Sequence, residues 1–362
     1  MSTLHKIALT FIKNVGQVTA KNLISHFGNA ENIFSASRKQ LLQLPGIGEK
    51  TVETILNTHA LKRAEEELKF VEKHGIEVLF FTDENYPRRL KNCFDSPVLL
   101  YFKGNTNLNQ QRVISVVGTR NATAYGKMLC EQLIEELTPY NVLVVSGLAY
   151  GIDVAAHKAC IEHQIPTVGI LGHGLDRLYP KMHKRIAQSM VLNGGLLTEF
   201  PILTNPDRQN FPQRNRVIAG MADVTVIVEA SIKGGALITA EIANSYNKDV
   251  YAFPGRTTDM LSEGCNFLIK TNRAGLISHP KDLIYYLGWD EQVLEKEPQV
   301  TLPINLTDNE LKVVNLLKLG QMAMDELSVK LNMQQSKLAI VLLTLEMQGI
   351  IVSLPGKMYK IT

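Results

Sequence analysis

Phe211-Pro212-Gln213-Arg214-Asn215-Arg216 brings two guanidinium forks, an amide and an aromatic ring into one short segment. Forked donors hold phosphate oxygens in pairs, and a ring beside them can take an unpaired base on its face. Tyr179 is a second ring of that kind. Between Lys181 and Arg216 stand six basic residues (Lys181, Lys184, Arg185, Arg208, Arg214, Arg216) and two acidic ones (Glu199, Asp207), a local positive excess that the net charge of +3 conceals. Runs of charge are usually solvated faces; two arginines adjoining Phe-Pro and an apolar helical segment fit that description less well.

Glycine turns supply the second set of candidates. Gly118-Thr119-Arg120-Asn121-Ala122-Thr123 is not G-x-G-x-x-G, and the stretch to Gly126-Lys127-Met128 has neither Walker A spacing nor a hydroxyl after the lysine, so neither a dinucleotide nor ATP is supported. Arg120 beside a glycine turn at a helix start suits a phosphate, or else a loop salt bridge. Ser146-Gly147-Leu148-Ala149-Tyr150-Gly151-Ile152-Asp153 opens another helix, with His157 one turn beyond Asp153. That pair could act as acid and base, but with no nucleophile or metal-ligand set beside it, locking the loop is the better reading. Lys233-Gly234-Gly235 and Gly264-Cys265-Asn266 complete the series, each turn able to offer backbone donors.

Such distant loops meet only if the fold brings them to one edge. Apolar runs at Val113 to Val117, Val142 to Val145, Thr167 to Leu171, Val224 to Val228 and Val250 to Phe253 alternate with helical stretches near Thr123 to Leu137, Ile152 to His163, Met182 to Leu192, Ala236 to Asn247 and Pro280 to Leu287. This predicts an α/β class with a doubly wound, Rossmann-like, mostly parallel sheet over residues 64–289, including an N-terminal extension. Ligands of open sheets lie beyond the carboxyl ends of the strands, where these loops gather. Arg214 and Arg216 are then expected in a solvent-facing loop.

Residues 1–63 read as a small helical, helix-hairpin-helix or SAM-like domain. Leu41, Leu42 and Leu44 lead through Pro45-Gly46-Ile47-Gly48-Glu49-Lys50 to Val52 and Ile55; Asn14-Val15-Gly16-Gln17-Val18 looks like a degraded first copy with Val18 in place of the second glycine. The Gly46 turn either takes a phosphate or merely allows close helix packing. Residues 290–304 read as an acidic, proline-bearing linker. Residues 305–362 follow, opened by Thr307-Asp308-Asn309-Glu310, as a winged helix.

Composition narrows the class further. A 45% hydrophobic, 20% charged chain is ordinary for a globular protein, no apolar run approaches the roughly 18 residues of a membrane span, and the N-terminus lacks a secretory pattern. A cytoplasmic protein is expected, with Cys93, Cys130, Cys160 and Cys265 as reduced structural thiols.

Gly118-Thr119-Arg120, Ser146-Gly147-x-Ala149-x-Gly151-Ile152-Asp153, Leu171-Gly172-x-Gly174-Leu175-Asp176-x-x-Tyr179-Pro180, Phe211-Pro212-x-Arg214-Asn215-Arg216-x-Ile218-Ala219-Gly220 and Gly264-Cys265-Asn266, in that order, resemble the DNA-processing protein A (DprA/Smf) family. Thr119 stands where serine is commoner. The resemblance implies a non-enzymatic homodimer; no cofactor or metal is expected, since the residues offer no metal-ligand cluster, nucleotide loop or nucleophile with a base. The implied role is to bind and protect incoming single-stranded DNA and help load the RecA recombinase against single-strand binding protein during natural transformation. Carried over by motif, the DNA contacts fall on Gly118, Arg120, Ser146, Gly147, Lys181, Phe211, Arg214, Asn215, Arg216 and Lys270.

Two rivals belong to other classes. Lys233 to Glu241 faintly echoes the P-G-G-x-G-T-x-x-E motif of nucleotide-processing phosphoribohydrolases, but Lys233 replaces its proline and Leu237 its third glycine, where close phosphate approach is needed. A duplex-binding winged-helix regulator would need more phosphate contacts than the single lysine of Gln334 to Ala339 offers.

Overall fold

The computed structural model describes residues 2–57, 59–289, 306–318, 320–354 and 358–361. The chain divides into two compact units, 1–290 and 291–362. The linker expected over 290–304 lies outside the described residues, as does the tip of the expected wing at 355–357.

Six helices open the first unit: α1 (Thr3–Thr10), α2 (Gln17–Phe27), α3 (Ala30–Ser35), α4 (Arg38–Leu42), α5 (Glu49–Leu56) and α6 (His59–His74). Gly16 and Gly48 are the N-caps of α2 and α5, and Asn14 and Gly46 both adopt left-handed backbone, φ 65° and 81°. The first copy thus departs from the expected pattern at Asn14 rather than at Val18; asparagine tolerates that conformation as few other residues do. Its turn is docked, since Gln17 Oε1 accepts the Val98 N–H at 2.6 Å. At the second turn Glu49 opens α5 and pairs with Arg38, setting a carboxylate where a phosphate would sit. The boundary expected at residue 63 falls inside α6, and the helices share a core with the first strands through Ile7, Leu23, Val71, Phe80 and Leu99.

The sheet comprises β1 (Glu77–Phe80), β2 (Leu99–Gly104), β3 (Arg112–Val117), β4 (Val142–Ser146), β5 (Thr167–Ile170), β6 (Gly194–Thr198), β7 (Val224–Ile227), β8 (Asp249–Ala252) and β9 (Gly275–Leu276). Among the described residues its order is β1-β2-β6-β5-β4-β3-β7-β8-β9, parallel from β6 to β9, with β1 and β2 antiparallel at one end. Pattern reading passed over β6, because Gly194 and Gly195 look like a turn. They are strand residues by necessity: a Cβ on Gly195 would lie 2.4 Å from the Phe102 ring of β2.

The remaining helices of this unit are α7 (Arg88–Lys91), α8 (Ala124–Leu137), α9 (Ile152–Glu162), α10 (Lys184–Leu192), α11 (Asn210–Met221), α12 (Gly235–Ser245), α13 (Glu263–Lys270) and α14 (Pro280–Tyr286). Leu133, Ile152 and Leu283 bring α8, α9 and α14 onto one face, while Ile218, Ala240 and Leu268 bring α11, α12 and α13 onto the other. All four cysteines are buried thiols.

The second unit is a winged helix of α15 (Asp308–Leu317), β10 (Met322–Ala323), α16 (Met324–Leu331), α17 (Gln335–Met347), β11 (Ile351–Leu354) and β12 (Met358–Ile361). Thr307 and Glu310 form the expected capping box, and Val313, Leu327, Leu338 and Leu342 fill the core. Among the described residues no helix is long and apolar enough to cross a membrane.

Candidate nucleic-acid interface

From β3 the chain winds outward through β4, β5 and β6, then returns to lay β7 on the other flank of β3. The winding reverses between β3 and β7, the position where open α/β sheets take ligands. A crevice of about 520 Å³ lies there. Gly118, Thr119 and Arg120 line it from β3, Lys233 to Ala236 from the start of α12, and Phe211, Arg214 and Asn215 from α11; Tyr179 and Arg208 stand at its rim.

Glu229, buried just after β7, braces the Arg120 loop. Its carboxylate accepts the Thr123 N–H at 2.9 Å and hydroxyl at 2.7 Å, and its carbonyl accepts the Thr119 N–H at 2.6 Å. The Arg120 guanidinium lies 5.4 Å from the centre of the Phe211 ring, Arg214 lies 6.0 Å from it, and the Tyr179 ring is 6.1 Å away. Arg120 is exposed, whereas Arg214 is 5% exposed. Arg214 Nη1 donates to the Ile170 carbonyl, while its buried Nε has no hydrogen-bond partner. Burial pulls the guanidinium down to about 10, with Asp153 opposing.

Asp153 and His157 lock the loop between them. Burial pushes the Asp153 carboxyl up against the pull of Arg214 and the Ala149 N–H. His157, wholly buried and held down at about 4 by desolvation, donates from Nε2 to the Gly147 carbonyl and bonds the Thr167 hydroxyl through Nδ1 at 2.7 Å. A neutral imidazole so occupied is a strut.

Of the residues expected to meet DNA, Gly118, Arg120, Phe211, Arg214 and Asn215 converge on the crevice. Ser146 and Gly147 lie beneath it: the Ser146 hydroxyl is spent on the Val116 carbonyl at 2.6 Å. Gly118 is glycine because a Cβ would lie 2.4 Å from Ile152, a packing need rather than a phosphate's. Exposed Lys181 and Lys270 do not line the crevice; Lys270 is the last residue of α13, away from that helix's start.

Arg216 is corrected in two respects. It and Arg214 belong to α11 rather than a loop, because Pro212 sits in the first turn, where no N–H is required. Arg216 is also 8% exposed, donating to the Asp95 carbonyl and pairing with buried Glu199 outside the crevice. Burial raises Glu199 to about 7 against the pull of Arg216. The glycine turns also offer fewer donors than expected, since the N–H groups of Thr119, Ile152 and Gly264 are taken by main-chain carbonyls.

Lys233 and Arg208 line the crevice but escaped the residue-level assignment. The available signal was the position of Lys233 immediately before Gly234-Gly235 at a helix start. Glu241, the carboxylate of the enzyme alternative, is half-exposed, pairs with Arg273 and does not line the crevice.

Residues 77–288 match the family model of DNA recombination-mediator protein A, residues 6–58 that of a SAM-like helix-hairpin-helix tandem, and residues 297–357 that of the DprA winged helix domain. Protein Smf of Synechocystis sp. is 33% identical over 304 residues, covering 82% of this chain and 75% of the relative. DNA processing protein DprA of Streptococcus pneumoniae is 38% identical over 202 residues, 56% of this chain and 71% of the relative. The X-ray structure of the Streptococcus pneumoniae protein superposes with a TM-score of 0.67 at 29% identity, covering 78% of this chain and 98% of that one. DNA processing protein A of Helicobacter pylori, described for its single-stranded DNA binding mode, gives 0.54 at 29% identity over 59% of this chain and 96% of its own.

Proposed function

Since the chain belongs to the DNA recombination-mediator protein A (DprA/Smf) family, we propose that it is a cytoplasmic recombination mediator that holds single-stranded DNA in the crevice between β3 and β7. The observation that carries this reading is the bracketing of Phe211 by Arg120 and Arg214, two guanidinium groups from distant segments around one ring. Phosphates meet Arg120, Arg214, Lys233 and Arg208, Phe211 and Tyr179 take a base, and Asn215 and the Gly118 turn complete the wall. Ser146 and Gly147 act from below and Lys181 from the flank; Arg216 holds α11 in place, and Lys270 receives no role.

The single-stranded DNA attributed to the Helicobacter pylori relative supports this ligand. The name of the Streptococcus pneumoniae relative, DNA processing protein DprA, supports a DNA-processing role, which we read as one in transformation. We extend it to protection of incoming strands, assistance in loading RecA against single-strand binding protein, and a homodimeric state. The reading is non-enzymatic, in keeping with Glu241 standing apart from the crevice.

Anisotropy of a labelled oligothymidylate, titrated at two salt concentrations, tests the ligand: tight binding that weakens as salt rises is expected, and salt-independent binding would remove the phosphate contacts. RecA-driven strand exchange on strands coated with single-strand binding protein tests the mediator role. Stimulation by this protein is expected, and its absence with free-strand binding intact would limit the function to binding.

A further inference from the structure

A second groove, of about 420 Å³, runs between α8 and α9 on the other side of Arg120. Exposed Arg120 lines both this groove and the crevice, so the two spaces meet at that residue. Tyr150, 42% exposed, stands at the mouth with its ring set edge-on to His183 at 5.2 Å. Exposed Lys127 on α8 and Lys158 on α9 line the walls. Among the described residues no ion pair engages either lysine.

The groove also contains carboxylates, Glu131 and Glu162, and their placement matters. Each lies one turn further along its helix than the lysine, away from the helix starts at the sheet edge. Positive charge therefore gathers near Arg120, where the N-terminal ends of α8 and α9 add their partial charges, and gives way to negative charge beyond. An aromatic face followed by two cations on opposing walls suits a base and its neighbouring phosphates, whereas a neutral ligand would leave the lysines unused.

We propose that this groove is a second lane for the single strand, which leaves the crevice over Arg120, lays a base on Tyr150 and passes its phosphates between Lys127 and Lys158. Glu131 and Glu162 end the lane. The inference rests on the crevice as the primary strand site.

The test compares oligothymidylates of about 6 and about 15 nucleotides, one confined to the crevice and one long enough to continue, within the site sizes known for single-strand binders. In Lys127→Gln/Lys158→Gln, affinity for the longer strand should fall about tenfold, and the slope of log affinity against log salt should shrink by about 1.4, or 0.7 per lost phosphate contact. Binding of the short strand should be unchanged. Tyr150→Ala should likewise weaken the longer strand alone, by about tenfold. If the double variant binds the longer strand as wild type does, or weakens both equally, the second lane is overturned. Wild-type protein that binds neither strand would instead overturn the crevice reading, and the lane with it.

Discussion

Arg214 and Asp153 face one another across Gly147: a Cβ at that glycine would lie 2.2 Å from Arg214 Nη1 and 2.3 Å from Asp153 Oδ2. The glycine is the gap through which a buried carboxylate acts on a buried guanidinium at the crevice wall. Gly147→Ala should push the guanidinium off that wall. Affinity for single strands should fall by about tenfold or more, the scale of one charge-assisted contact. Anisotropy checks it, with circular dichroism melting to show that the fold remains.

Arg120 and Arg216 should separate binding from stability. Arg120 is exposed, so Arg120→Ala should leave the unfolding midpoint in place while weakening single-strand binding by about ten- to a hundredfold, as loss of a charged phosphate contact does. Arg216→Ala leaves Glu199 buried without its partner and should cost about 3 kcal/mol or more of stability. Urea titration of both variants beside anisotropy gives the comparison. A stable Arg216→Ala protein with lost DNA affinity would return Arg216 to the interface.

His157 makes stability depend on acid. Its imidazole is held at about 4 in the folded chain against a reference of 6.5, so the unfolded state binds the extra proton first. The resulting stability is complete above 6.5 and is lost as pH falls towards 4, amounting to on the order of 3 kcal/mol. Glu199, raised to about 7, pulls the opposite way as pH rises from 4.5, so the measurement must be differential. Wild type should lose stability relative to His157→Gln between pH 6.5 and 4 in denaturant titrations; parallel curves would remove the strut.

Deleting the second unit should leave the primary strand site working. A chain ending at Trp289 retains the crevice and all the cores of the first unit. The removed unit presents Ile340, Leu343 and Met347 at 67%, 58% and 82% exposure along the helix a duplex reader would use, with Lys337 as its one cation. Single-strand affinity within about threefold of the full chain is expected, since few phosphate contacts are lost. Loss of binding in a folded truncation would move the DNA to the winged helix.

The parallel strands were legible because burial on both faces leaves unbroken β-branched runs such as Val224 to Val228. The crevice was legible at Arg120 and Phe211, whose segments, the turn after β3 and the start of α11, had to meet at the carboxyl edge of any doubly wound sheet. Side-chain destinations were not. Arg214 and Arg216 are two residues apart on α11, so they leave the helix on different sides; one reaches the crevice and the other Glu199. Nothing local announces Glu199 as a partner, because that pairing depends on where β6 ends. β6 itself was hidden by glycines that make room for the Thr167 backbone, at Gly194, and for the Phe102 ring, at Gly195.

Glu229 sits on one side of the topological reversal and holds the chain on the other, through the Thr119 and Thr123 N–H groups and the Thr123 hydroxyl. The loop that presents Arg120 is therefore ordered before any nucleotide arrives. Immobilising a flexible side chain during association costs about 0.5–1.5 kcal/mol, and bracing lowers that cost by settling the backbone in advance. In the proposed function, capture of a passing strand then depends on diffusion and the pull of the positive rim, with the Arg120 loop already in place.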